Sequence, residues 1–287
     1  MPPALLAVLA GMFFALASFF TRLGLERGTT DAAVRTAAVV AVAVSWPLFF
    51  FLAPWTSLSS WAVLAFVAAG VCGPFLGRLL LFTGLQRVGV AVTTPIYNVQ
   101  VLFTAVAGVL FFSETLTPFI GIGTVAMLVG LALLSLDASG GNRDRPRRTL
   151  DLLFPLGAGF FIAITYVFRK WGLQITPEVF FGLAVMSVTA LVTSMGMGAV
   201  KRQGLSLPGG RTLVMFAIGG AMAITAHLCV LGALLRGDLL IVVPLQNMEP
   251  LFAVVLSRLF LRRLELVTPA VAAGAALVVT GGVLVNL

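Results

Sequence analysis

Charge is what this sequence has least of. Of its 287 residues only 10% are charged and 60% are hydrophobic, with a mean hydropathy of +1.11. A soluble domain carries roughly 25% charged residues, so this chain cannot cover a water-facing surface and its solvent is lipid. Cysteine is scarce too. Cys72 and Cys229 lie in different apolar segments without CxxC spacing, which excludes a disulfide framework and a metal knuckle and leaves them as packing residues. The one histidine, His227, rules out a His-pair metal site. No GxSxG occurs, and no glycine-rich loop ends in Lys-Ser/Thr to cradle ATP phosphates. Neither enzymatic activity nor a cofactor is expected.

The net charge of +8 is not a nucleic-acid footprint, because the basic residues fall mostly in short connections between apolar runs. No basic n-region or small-residue cleavage site precedes the first run, which reads as a retained membrane helix.

Ten runs are long enough to cross ~30 Å of hydrocarbon, which takes about 20 residues. They cover Pro3–Thr21, Ala32–Ala53, Ser60–Gly84, Val88–Phe112 and Leu116–Leu136, then Leu152–Phe168, Val179–Val200, Arg211–Leu235, Leu239–Leu261 and Leu266–Leu287. Between the fifth and sixth lies a polar, glycine- and charge-rich linker at 137–151. The expected organisation is a five-span repeat at 1–136, a cytoplasmic linker, and a second repeat at 152–287.

The repeat is written in the residues. With an offset of 149, Arg87 meets Arg236, Pro95 meets Pro244, Asn98 meets Asn247, Gln100 meets Glu249 and Phe103 meets Phe252. At offset 151, Glu114, Thr117, Pro118, Gly123 and Gly130 meet Glu265, Thr268, Pro269, Gly274 and Gly281. At offset 148, Gly11, Phe13, Phe20 and Arg22 meet Gly159, Phe161, Phe168 and Lys170. Five spans per copy is an odd number, so the second copy enters the membrane upside down. The fold class expected is therefore an all-α polytopic membrane protein, ten helices in two inverted five-helix repeats.

Connections after the odd-numbered spans hold Arg22, Arg27, Arg87, Arg211 and eight further basic residues in the linker and at 201–202 and 262–263. The other side holds Arg169, Lys170 and Arg236. Twelve against three, by the positive-inside rule, puts the richer side in the cytoplasm and both termini outside it.

These features together resemble the drug/metabolite transporter superfamily, in particular its ten-helix EamA-type members, over essentially the whole chain. The most specific part is a proline early in the fourth span, a Glu in the next connection, Thr-Pro, then glycines seven apart. Here those are Pro95, Glu114, Thr117, Pro118, Gly123 and Gly130, mirrored in the second copy. Family members often carry a second proline; Pro250 supplies it in the second copy and Val101 replaces it in the first. The resemblance implies a secondary transporter in the cell membrane, commonly exporting amino acids or related metabolites. Lipid-linked sugars, hydrophobic cations and a non-transporting scaffold are the alternatives, and protons are a candidate coupling ion.

An ionisable side chain at mid-membrane costs roughly 2.5–3.5 kcal/mol, so it needs a partner or a wet cavity. Arg35, Arg78, His227 and Glu249 qualify. Arg35 sits near a span end and can snorkel to the surface. Glu249 lies ~15 Å into its span, and Arg78 is placed ~9 Å from the cytoplasmic end of span three. Two readings stay open: a structural Arg78–Glu249 ion pair, or Glu249 as a substrate or proton site, with His227 and Gln100 in the reciprocal place. His227 is equally a packing residue. Tyr97, Asn98, Gln246 and Asn247 follow prolines that remove a backbone donor, so they either line a central cavity or cap freed carbonyls. Tyr166 on span six would complete the cavity wall, which spans 1, 3, 4, 6, 8 and 9 are expected to form. The paired glycines read as packing faces, and Glu114 as an N-terminal cap of the following helix.

Overall fold

The computed structural model describes residues 1–53, 59–88, 90–137, 149–200, 208–260 and 269–287. The linker residues 138–148 and the second-copy Glu265 and Thr268 lie outside them. The described residues are all-helical, with no strand among them. Eight stretches are long and apolar enough to cross a membrane, and Pro118–Leu134 and Ala272–Val285 are shorter apolar helices.

The first repeat begins with α1 (Pro3–Leu25), α2 (Thr30–Leu52) and α3 (Ser60–Gly70). A π-helical stretch at Val71–Gly77, with Pro74 inside it, leads to α4 (Arg78–Val88). Proline has no N–H to give the ladder, and a π-bulge is one way a helix absorbs that gap. Next come α5 (Val90–Tyr97), α6 (Gln100–Phe112) and α7 (Pro118–Asp137). The second repeat consists of α8 (Leu153–Ile175), α9 (Val179–Val200), α10 (Gly210–Leu234), α11 (Leu239–Gln246), α12 (Glu249–Phe260) and α13 (Pro269–Val285).

Several expected boundaries move. Spans four and nine are each broken rather than continuous, after Tyr97 and after Gln246. Span three runs on to Val88 instead of stopping at Gly84. Span six continues through Arg169 and Lys170 to Ile175, where Thr176-Pro177 ends it. A proline disfavours helical backbone in the residue before it, whereas an Arg-Lys pair is no barrier to a helix.

The chain forms two compact units, and each draws on both repeats. One is Met1–Val71 with Phe168–Arg236, the other Cys72–Val167 with Gly237–Leu287. In the first, α1 packs along α10 with Phe216, 1% exposed, filling the room left by Gly24 and Gly28. α2 packs on α9 through a buried hydrogen bond between the hydroxyls of Ser45 and Ser187 (2.8 Å).

In the second unit α7 and α13 meet backbone to backbone. A Cβ on Gly123 would stand 2.6 Å from the carbonyl oxygen of Gly281, and one on Gly130 2.6 Å from that of Gly274. Gly123 is the repeat equivalent of Gly274, and Gly130 of Gly281. Each glycine thus meets the mate of the other, so the two equivalent helices run antiparallel, as an inverted repeat requires. Without side chains at these positions the backbones approach closely enough for dispersion to hold helices that lipid does not drive together.

Candidate functional site

The two helix breaks have one hydrogen-bond pattern. Asn98 N–H donates to Thr94 O (3.0 Å), Val99 to Ile96 O (3.2 Å), Leu102 to Val99 O (2.9 Å) and Phe103 to Val99 O (3.2 Å). In the second copy Asn247 donates to Val243 O (3.1 Å), Met248 to Leu245 O (3.2 Å), Leu251 to Met248 O (3.0 Å) and Phe252 to Met248 O (3.3 Å). Each of these four bonds recurs at offset 149, whereas the bond from Val101 N–H to Asn98 O (3.1 Å) has no mate because Pro250 lacks an N–H. The i−3 bonds mark a tightened 3₁₀-like turn inside each span. The first copy makes it with Val101 where the second has Pro250, so the second proline does not cause the break.

Around these turns the second unit collects eight of the nine residues singled out in the sequence. Gln100, at the start of α6, donates through Nε2 to Asn247 Oδ1 (3.1 Å), and both side chains are buried. Tyr97 stands at the end of α5 and lies within electrostatic reach of Tyr166, Glu249 and Arg78. The Tyr166 hydroxyl, on α8, donates to Gln246 Oε1. Glu249 opens α12, so its carboxylate stands at the positive end of a half-helix. Arg78 opens α4, ten residues before its end at Val88. That is ~15 Å along the helix, deeper than the ~9 Å expected from a span ending at Gly84.

The equivalent asparagines do different work. Asn247 folds its Nδ2 back to Val243 O (3.0 Å) while its Oδ1 accepts from Gln100, so both ends of its amide are used. It braces its own helix end, although not at the carbonyl one turn before Pro244. Asn98, 5% exposed, has no partner for Nδ2 among the described residues, and Gln100 Oε1 and Thr93 Oγ1 have none either. A buried polar group without a partner costs roughly 1–3 kcal/mol. One unpartnered donor and two further unpartnered oxygens thus fall within eight residues of the first break.

His227 falls elsewhere. It belongs to the first unit, where its Nδ1 is 3.3 Å from Arg169 Nη2 and its ring packs edge-on to Phe14, centroids 5.0 Å apart. Its repeat equivalence to Arg78 does not make it part of the same group. Arg35, near the start of α2, is 8% exposed and thus buried rather than snorkelling. Arg169 and Lys170, read in sequence as connection charges, are 4% and 8% exposed inside α8. The signal that could have placed them is Trp171-Gly172-Leu173, which carries the apolar run on beyond the two charges.

Glu114 also departs from its expected role. Thr117 caps α7, accepting from Ile120 N–H at 3.2 Å, with Pro118 at the first helical position. The Glu114 carboxylate instead accepts from the backbone of α11, in the other repeat.

Membrane-length apolar helices, a duplicated unit with antiparallel equivalent helices, and paired helix breaks with polar lining define a polytopic helical transporter scaffold. The family model described as the EamA-like transporter family matches residues 1–136 and 149–287. The chain belongs to that family, and with it to the drug/metabolite transporter superfamily. Among solved structures 29 chains match. One, described only as the crystal structure of a protein, superposes with a TM-score of 0.80 at 17% identity, over 99% of this chain and 98% of its own. That likeness is one of fold. No curated protein matches the chain.

Proposed function

We propose that this member of the family is a secondary transporter that exports a small polar metabolite of amino-acid type by alternating access. Its substrate site would be the group around the two helix breaks: Tyr97, Asn98, Gln100, Gln246, Asn247 and Glu249, with Arg78 and Tyr166. The observation that carries this reading is the set of unpartnered polar atoms, Asn98 Nδ2 and Gln100 Oε1, in residues 5% and 2% exposed. A substrate that both accepts and donates hydrogen bonds satisfies both atoms. Broken helices near mid-membrane are where secondary transporters hold cargo, because irregular backbone is tolerated in lipid only beside protein or a wet cavity.

Glu249 is the group proposed to take up a proton or a cationic end of the substrate. A second reading, transport of a hydrophobic cation, is favoured by the electrostatic reach of Glu249 to the ring-bearing Tyr97 and of Tyr97 to Tyr166. The membrane proposed is the cell membrane, with both termini outside the cytoplasm. With Arg169 and Lys170 buried in α8, only Arg236 remains of the three basic residues assigned to the outer connections.

The deciding experiment is flux in proteoliposomes of the purified chain across amino acids, amines and hydrophobic cations. Counterflow of an amino acid supports the leading reading, and flux of hydrophobic cations alone supports the second. Persistent absence of flux over the whole panel favours a non-transporting scaffold.

A further inference from the structure

The short helix α11 begins without a side-chain cap of its own. Asp238 stands at its N-cap with extended backbone but makes no capping bond from its side chain. The first N–H groups of a helix have no intrahelical acceptor, and here Leu239 and Leu240 are 0% and 2% exposed. Glu114 supplies both acceptors. Its Oε1 takes the Leu239 N–H at 2.8 Å and its Oε2 the Leu240 N–H at 2.9 Å. A carboxylate at a helix N-terminus gains from the macrodipole as well as from charge-assisted hydrogen bonds.

The first repeat is shaped locally to deliver this carboxylate. α6 ends at Ser113 in the left-handed region, φ 54°, the only positive φ at a non-glycine among the described residues. That turn brings the Glu114 N–H back to Gly108 O at 3.2 Å. Gly108 lacks the Cβ that would stand 2.6 Å from Glu114 Oε2. A strained residue, an absent side chain and a buried charge all serve one contact between the repeats.

α11 is eight residues long, ~12 Å at the helical rise. Its far end carries Gln246, which accepts from Tyr166, and leads into Asn247, which accepts from Gln100. We propose that Glu114 is a positioning residue: by fixing the start of α11 it sets where Gln246 and Asn247 stand. The consequence for transport rests on the site proposed above, whereas the positioning itself does not.

Hydrogen–deuterium exchange on the full chain in lipid nanodiscs tests it without any substrate. In Glu114→Ala the amides of Leu239, Leu240 and Asn247 should exchange at least tenfold faster, with α1 and α10 unchanged. Glu114→Gln keeps one acceptor and no charge, so the same three amides should speed up two- to tenfold. Faster exchange confined to Leu239 and Leu240, with Asn247 as in the wild type, would reduce Glu114 to a local cap and overturn the proposal. No change at any of the three would overturn it as well. If Glu114→Ala does not yield folded protein, Glu114→Gln is judged by the same criterion. Unaltered flux beside an accelerated Asn247 amide would count against the site reading instead, so the two failures are distinguishable.

Discussion

Gln100 donates its side-chain N–H to the side-chain oxygen of Asn247 at 3.1 Å, and the two residues are 2% and 8% exposed. The bond joins the fourth span of one repeat to the ninth span of the other at the level of both helix breaks. Because Asn247 also holds Val243 O, its amide has no freedom to turn away. Gln100→Ala and Asn247→Ala should each lower stability by about 1–3 kcal/mol, since either leaves a buried partner unmet. The double variant should cost less than the sum, with a coupling of about 0.5–1.5 kcal/mol. Thermal unfolding in detergent measures this, and strictly additive losses would remove the bond from the account.

Asn98 offers the contrast. Its Nδ2 is buried with no protein partner among the described residues, so Asn98→Ala removes an unmet donor and should leave the fold as stable as the wild type or more stable, by about 1–3 kcal/mol at most. Under the site reading the same variant loses substrate-dependent thermal stabilisation and most of the flux. A variant that binds and transports as the wild type does would take Asn98 out of the site.

The repeat, the order of the spans and the residues at the breaks were all legible in the sequence, because each is carried by short patterns: apolar runs, and Pro, Asn, Thr-Pro and Gly at fixed offsets. The partners of those residues were not. Asn98 and Asn247 are the same residue at equivalent positions, yet Asn247 accepts from Gln100, while the mate of Gln100 is Glu249, whose carboxylate has no N–H to give Asn98. Arg169 and Lys170 look like any pair of charges ending a span; only α8 continuing to Ile175 puts them inside. Glu114 sits three residues before Thr-Pro, where a local cap is the natural expectation. Its real acceptor role depends on the left-handed turn at Ser113, which no spacing announces.

Packing of α7 on α13 gives a test of the antiparallel pairing. A Cβ on Gly281 would lie 2.5 Å from Gly123 O and 2.6 Å from Met127 Cγ, so backbone as well as side chain must yield. Gly281→Ala should destabilise by about 1–3 kcal/mol, the usual cost of overpacking. Gly121 has nothing within 4 Å of its Cβ position, so Gly121→Ala should be neutral or slightly stabilising, as alanine has the better helix propensity. Equal effects at the two positions would contradict the close approach of these helices.

The orientation proposed from charge is open to direct test. With Arg169 and Lys170 removed from the outer connections, the basic bias toward one side is stronger than the raw sequence suggests. A reporter active only outside the cytoplasm, fused after Leu287, should be active. Signal from a cytoplasm-only reporter at the same place would reverse the orientation and leave the fold as described.

The sharpest test concerns Arg78 and Glu249. Both stand about ten residues from a helix end, at Val88 and Leu239, so each lies ~15 Å along its path. Both also act electrostatically on Tyr97. If the two charges serve to hold the fold, Glu249→Gln takes away the partner of Arg78, an exposed side chain at the start of α4, and should lower the melting temperature. Arg78→Gln/Glu249→Gln should then recover much of that loss. If Glu249 takes a proton or the cationic end of a substrate, Glu249→Gln should fold with near-normal stability and lose the pH dependence of flux, because an amide cannot titrate. The two cases separate cleanly when melting temperature and flux at several pH values are measured on the same preparations. Normal transport at every pH by a stable Glu249→Gln protein would dismiss the functional role.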